Sequence, residues 1–266
     1  MAGVRRIAAM LDLDPSCVEG SGLLPRGWQF MLLGGETQRS RLRADGFPGL
    51  GPVLPGLDLP RLLLGGRSVS FVADIPVGAE LVHTSEIEKA VGKGDGTNPM
   101  TVITVRHELS AAGGAVAALV ERQTYVLMAQ RAATSRPADG VTWTDVVART
   151  CVTPDDTMLF QYSALGFNSH RIHVDRDFAR NVEGYEDLVV NGGLSTLLMT
   201  EFARNELGLV PRSLATRHFA PLYCGREMHL SAERLDDKWR FRACDEKGIL
   251  CAEMVFEPKG PGSGHV

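Results

Sequence analysis

The sequence predicts an α+β protein in which one antiparallel unit occurs twice. Three observations carry that prediction. Runs rich in Val, Thr, Phe and Tyr alternate with period two and stop at turn residues. These runs gather into two meanders with the same internal order of features. A stretch with helical spacing of apolar residues precedes each meander.

In the first half, the candidate helix is Trp28 to Arg41, "WQFMLLGGETQRSR", although Gly34-Gly35 lowers its intrinsic helicity. Trp28 reads as a core or interface anchor. Extended segments follow in "SVSFVADIPVGAELVHTSEI", Ser68 to Ile87, and in Met100 to Met128. Within the latter, Val102, Thr104, Arg106 and Glu108 alternate with Thr101, Ile103, Val105 and His107. Ala112-Gly113-Gly114 supplies a hairpin turn.

The polar stretch "RAATSRPA", Arg131 to Ala138, ends in a proline and reads as the join. It divides the chain into units 1–135 and 136–266. A short strand, "RTCVTP", opens the second unit. Its helix runs from Leu194 to Leu207, with Leu194, Leu197, Leu198, Phe202 and Leu207 at helical spacing and Gly208 as the C′ stop. The second meander reads "RHFAPLYCGREMHLSAERL", Arg217 to Leu235, then Trp239 to Pro258, with its turn at Glu246-Lys247-Gly248. "IPVGAEL" and "LYCGREM" occupy equivalent places in the two meanders.

Composition narrows the function. A net charge of -4 and a pI near 6.0 exclude the basic surface that nucleic-acid binding requires. No stretch approaches the roughly 20 apolar residues of a membrane span. The apolar run after the two N-terminal arginines is interrupted by Asp12 and Asp14, too soon for a signal peptide. The five cysteines include no C-x-x-C pair and read as free thiols of a reducing compartment. The expectation is a cytoplasmic protein.

The chemistry concentrates in "FNSHRIHVD", where Asn168, His170, Arg171, His173 and Asp175 fall within eight residues. Histidine is the side chain suited to proton transfer near neutrality. The histidine and aspartate spacing matches neither a zinc signature nor a calcium loop, so no metal is expected. Read from the residues alone, the segment is either a catalytic loop or a hydrogen-bonded surface turn. "GKGDGT" at Gly92 lacks a phosphate-loop signature, and "RHEL" at Arg106 lacks a zincin's second histidine, so it reads as strand surface. "GGLST" at Gly192 is not a nucleophile elbow, which argues against Ser195 as a nucleophile.

At these residues the chain resembles a family. "YSALGFNSHRIHVDRDFARNVEGYEDLVVNGGL" follows the pattern FSALxFNxHRIHxDxxYAxxVEGYxxLVVHGPL of mesaconyl-C4-CoA (3-methylfumaryl-CoA) hydratases. These are relatives of the MaoC-like hydratases and type 2 hydroxyacyl-thioester dehydratases. "ITVRHEL", Ile103 to Leu109, and the Pro-Gly-rich stretch around Leu54 extend the resemblance over most of the chain. It implies a double hotdog, each unit being a curved antiparallel sheet wrapped around a long helix. It also implies catalysis by the second unit alone, with the first contributing to substrate binding.

The resemblance implies a hydro-lyase acting on an acyl-CoA of the dicarboxylic monothioester kind, with no cofactor beyond the CoA of the substrate and a homodimer as its assembly. His173 takes the place of the catalytic histidine, two residues before Asp175. The relatives' acidic position falls on Asn168, whose amide orients water but takes no proton. His170 stands where relatives carry Asn and is a second candidate for proton handling. Arg171 is positioned by this reading to grip a free acyl carboxylate. Gly192 and Gly193 open the helix whose unpaired N–H groups suit a thioester enolate. Asn191, counted with His170, Arg171, Gly192 and Gly193 among the substrate-binding residues, replaces the family histidine and has N-cap as its alternative role; Gly193 replaces a proline. Two other readings stand beside the hydratase. A hotdog thioesterase needs a carboxylate near the helix start, where Glu201 is the nearest but two turns in. A non-catalytic acyl-thioester binder would keep the fold alone.

Overall fold

The computed structural model describes residues 2–14, 16, 20–49, 59–94, 98–114, 116–129 and 146–260. Outside them lie the join at Arg131 to Ala138, the stretch around Leu54, Cys17, and Asp95 to Thr97 of the "GKGDGT" loop. The described strands are β1 (Arg61–Phe71), β2 (Leu81–Lys93), β3 (Met100–Ala111), β4 (Ala117–Met128), β5 (Val146–Val152), β6 (Pro211–His218), β7 (Met228–Leu235), β8 (Lys238–Cys244) and β9 (Leu250–Pro258). The described helices are α1 (Ala2–Met10), α2 (Asp156–Leu165) and α3 (Gly192–Leu207).

The strands form one antiparallel sheet in the order β2-β3-β4-β1-β6-β9-β8-β7-β5. The two meanders are therefore mirror-ordered about a central β1–β6 seam. The repeat seen in the sequence holds at the level of single turns. Gly78 of "IPVGAEL" and Gly225 of "LYCGREM" adopt the same left-handed backbone, with φ of 93° and 73°. The hairpin glycines Gly113 and Gly248 match in the same way, at 76° and 78°.

The seam depends on glycine. Gly66 lies opposite Arg217, and a Cβ on it would come within 2.5 Å of the Thr216 carbonyl oxygen. The β1–β4 register shifts between Leu64 and Gly66, so the Gly65-Gly66 pair also bends β1 there.

Helix α3 is where the sequence placed it, two residues longer at its start. Leu194, Leu197, Leu198, Met199 and Phe202 are buried against Leu214, Met228, Phe241 and Phe256 of the second meander. Cutting one of these leucines to alanine removes about 2–5 kcal/mol of stability. Gly208 ends the helix with φ 63°, its N–H bonded to the Arg204 carbonyl.

The first unit corrects an expectation. Trp28 to Arg41 is not a long helix. It forms a 3-10 turn at Trp28–Leu32, a bend, and a second short turn at Arg39–Arg41. One reason is contact: a Cβ on Gly34 would sit 2.6 Å from the Gly166 carbonyl oxygen, so the chain passes too close to α2 for a side chain. The other is chemistry. The inner face of this sheet carries Arg67, His107, Glu121 and Gln123, all buried. An apolar helix laid on it would leave these groups without partners. The short turn instead delivers Gln29, whose Nε2 donates to Glu121 Oε2 at 3.0 Å. Trp28 is buried and its Nε1 donates to Glu201 of α3 at 2.7 Å, so the anchor expected from the sequence joins the two units. "RHEL" is surface only in part: Arg106 and Glu108 pair outward while His107 is buried.

Helices α1 and α2 had no counterpart in the sequence reading. They pack on each other, with Val4, Ile7 and Leu159 in the main core. Among the described residues, no helix is long and apolar enough to cross a membrane. Cys151, Cys224, Cys244 and Cys251 are free, as read from their spacing.

Candidate active site

The histidine-bearing segment is built by a chain of local caps. Asp155 accepts the Met158 N–H at 2.8 Å and starts α2. The helix ends at Gly166, and Phe167 turns the chain with a left-handed φ of 47°. The Asn168 N–H then closes back on the Ser163 carbonyl at 2.8 Å. Asn168 Oδ1 accepts the His170 N–H at 3.1 Å, an Asx turn that feeds a 3-10 turn over Arg171–His173. Asp175 Oδ1 accepts the Phe178 N–H at 3.0 Å.

These caps sort the polar cluster into two faces. His170 and His173 turn inward and are buried, with ring centroids 5.4 Å apart in an edge-on arrangement. Arg171 turns outward. Its Nε and Nη2 reach Asp175 Oδ2 at 3.0 and 2.8 Å, and its guanidinium lies 4.1 Å above the Phe178 ring. Arg171 is not among the residues lining the cavity, which corrects its assignment to the acyl carboxylate.

The inward face opens on a cavity of about 390 Å³ between the two units. The second unit contributes Asn168, His170, His173, Val189 to Gly193, and His218. The first contributes Phe47, Leu62 to Gly65, Arg67 and Tyr125. The size and largely apolar wall suit a small ligand with few polar anchors.

His173 is held in one tautomer. Its Nδ1 lies 2.7 Å from the Val189 carbonyl oxygen, which can only accept. Nδ1 therefore carries the hydrogen and Nε2 keeps its lone pair. Burial, with His170 adding to it, pushes the His173 pKa down to about 3, so the ring is neutral at pH 7. Burial and nearby Arg43 lower His170 to about 4. Its Nε2 stands 3.7 Å from Asp45 Oδ2.

Asp45 belongs to the first unit and clamps the loop that carries His170 and His173. Its carbonyl accepts the Arg171 N–H at 2.8 Å, and its carboxylate accepts the Phe47 N–H and Arg43 Nε. Next to it, Gly46 takes φ 78° with the Ser169 carbonyl 2.4 Å from where a Cβ would stand. Ser169 Oγ donates to the Gly46 carbonyl at 2.7 Å.

Opposite the histidines is the start of α3. Gly192 and Gly193 line the cavity, and neither position admits a side chain easily. A Cβ on Gly193 would meet Tyr162 Oη at 2.1 Å and Arg67 Nη2 at 3.2 Å; one on Gly192 would meet the His218 ring at 3.1 Å. The first N–H groups of a helix have no partner inside it and carry its positive end, so this start accepts a developing oxyanion. Asn191 stands at the N-cap position but does not cap: its Nδ2 donates to Ser163 Oγ at 3.3 Å. Its buried Oδ1 has no partner among the described residues. Ser195 Oγ donates back to the Gly192 carbonyl at 2.9 Å, which occupies its hydroxyl.

Sequence reasoning missed Asp45, Arg67, Tyr162 and His218. For two of them a signal existed. Arg67 alternates with Val69 and Phe71, and His218 with Leu214 and Thr216; these partners are buried. A polar residue in register with a strand's apolar face points inward. Burial and Arg67 hold His218 down at about 3, and its Nε2 has no partner among the described residues.

Comparison with known proteins identifies the fold and the family. The family model of hydroxyacyl-thioester dehydratase type 2 matches residues 27–224. The mesaconyl-C(4)-CoA hydratase of Chloroflexus aurantiacus is 30% identical over 258 residues, 96% of this chain and 91% of that protein. Among solved structures, HtdX of Mycobacterium tuberculosis superposes with a TM-score of 0.69 at 16% identity, covering 96% of this chain and 95% of its own. Another protein of Mycobacterium tuberculosis, described as a double hotdog, gives a TM-score of 0.53 at 15% identity over 76% of each chain. The fold is a double hotdog, and the chain belongs to the hydroxyacyl-thioester dehydratase type 2 family.

Proposed function

We propose that this protein adds water reversibly across the α,β double bond of an acyl-CoA thioester, with a C4 dicarboxylic monothioester of the mesaconyl type as substrate. The observation that carries the reading is the fixed tautomer of His173, its Nε2 free in a largely apolar cavity that also holds the start of α3. Neutral His173 takes a proton from water as the hydroxide adds to the β-carbon. The electron pair moves through the α-carbon to the thioester oxygen, where the N–H groups at Gly192–Gly193 stabilise the enolate. His173 then returns the proton to the α-carbon, so one water is consumed and the ring ends neutral. Asn168, with Oδ1 engaged by the His170 N–H, keeps its amide N–H groups for the water. His170 braces the His173 ring edge-on.

A thioesterase is disfavoured by the carboxylates. Among the described residues, none lines the cavity. Glu201 is committed to Trp28 and Arg204. The experiment follows enoyl absorbance and free thiol together on mesaconyl-C4-CoA and crotonyl-CoA. Enoyl loss without thiol release supports hydration. Thiol release supports a thioesterase, and tight binding with neither change supports a binding protein.

A further inference from the structure

Among the described residues that line the cavity, Arg67 is the only arginine or lysine, and aspartate and glutamate are absent. The three histidines of the cavity are neutral at pH 7. Arg67 is thus the one formal charge facing the ligand. It is held there at a cost, because a buried guanidinium gives up hydration. Burial works against its charge, and Glu121, Tyr162 and Tyr125 together more than offset this, so it titrates above its ordinary value.

Glu121 does not use up that charge. Its two carboxylate oxygens already accept from Gln29 Nε2 at 3.0 Å and Gln123 Nε2 at 2.7 Å. Arg67 Nη1 stands off at 3.5 Å, a long contact. Arg67 Nε is buried with no partner among the described residues, and Nη2 reaches the first turn of α3 beside Gly193. Arg67 lines the cavity, so a ligand carboxylate there can accept from its guanidinium.

We infer that Arg67, from the first unit, is the residue that recognises the free carboxylate of a dicarboxylic acyl-thioester bound between His173 and the start of α3. This rests on the acyl-thioester reading above and names the residue that selects the dicarboxylic class within it. It gives the first unit a role in substrate choice. It also replaces Arg171, which is spent on Asp175 outside the cavity.

The test separates binding from turnover. Titration calorimetry compares succinyl-CoA, a saturated C4 dicarboxylic monothioester, with butyryl-CoA, which lacks the carboxylate. The wild-type protein is expected to favour succinyl-CoA by 30-fold or more. Arg67→Gln abolishes that preference and Arg67→Lys keeps part of it, since a lysine retains charge without the planar fork. Arg67→Gln leaves Glu121 buried without a cation, so the double variant Arg67→Gln/Glu121→Gln is measured as well. It removes both charges and is expected to bind the two esters equally. Equal wild-type affinities, or a preference that survives in Arg67→Gln or the double variant, overturn the assignment. Hydration is scored separately on mesaconyl-C4-CoA. A wild-type protein with the binding preference and no hydration refutes the hydratase and leaves Arg67 as the carboxylate reader. Hydration without the preference does the reverse.

Discussion

His173 and Val189 are joined by a hydrogen bond of 2.7 Å, ring Nδ1 to backbone carbonyl, that decides which nitrogen faces the substrate. Replacing His173 by alanine leaves the carbonyl in place and removes the base. Hydration is expected to fall by about 10²–10⁴-fold in kcat/KM. Decay of the enoyl chromophore measures it, and undiminished hydration by His173→Ala refutes the base assignment.

Gly193 is bare because Tyr162 needs the space. Gly193→Ala brings a methyl to 2.1 Å from Tyr162 Oη, so it is expected to cost about 1–3 kcal/mol of stability and most of the activity. Tyr162→Phe removes the hydroxyl and is expected to restore part of the lost stability in the double variant. Urea denaturation of the two single variants and the double checks this. Strict additivity would count against a clash between these two atoms.

Asp45 ties the catalytic loop to the first unit through its carboxylate and its carbonyl. Asp45→Ala leaves the buried Phe47 N–H without that acceptor. The expected loss is about 1–3 kcal/mol, with lower kcat as His170 loses its brace. A variant with wild-type melting temperature and wild-type kcat would show the clamp to be dispensable.

The cavity histidines make the protein acid-sensitive. His170, His173 and His218 titrate at about 4, 3 and 3 when folded, against about 6.5 for an exposed histidine. Between those limits the unfolded chain binds protons that the folded chain does not, so stability falls as pH drops through 6.5. Each histidine contributes a slope of about 1.4 kcal/mol per pH unit once well below 6.5. Urea midpoints at pH 7, 6 and 5 should fall steeply, and His218→Asn should flatten the slope by about one proton. A midpoint constant from pH 7 to 5 contradicts the burial of these rings. For the same reason, the free enzyme's kcat/KM should show no acidic limb near pH 6.5 from His173.

The second unit was legible because its signals are local. Period-two strands, helical spacing over Leu194 to Leu207, and Gly208 as a stop each act within a few residues. The first-unit helix failed because Trp28 to Arg41 is decided by what it meets, namely Gly166 and the buried Glu121. Arg171 was misplaced for a related reason. Sequence proximity grouped it with His170 and His173, whereas a 3-10 turn distributes consecutive residues around its axis and sends it outward. Asn191 stood at the expected position, but Ser163, which claims its side chain, lies 28 residues away in the sequence.

The β1–β6 seam makes the two halves a single unit of descent. Gly66 to Ser70 pair with Arg217 back to Ser213, which fixes Arg67 opposite Thr216 and leaves His218 just beyond the pairing. A slip of one residue would turn Arg67 to the far face of the sheet. Recombination that exchanged one half for that of a relative would keep a working site only where this register survived. Substitutions along β1 are therefore expected to track those along β6, although the loop of His170 and His173 belongs to the second half alone.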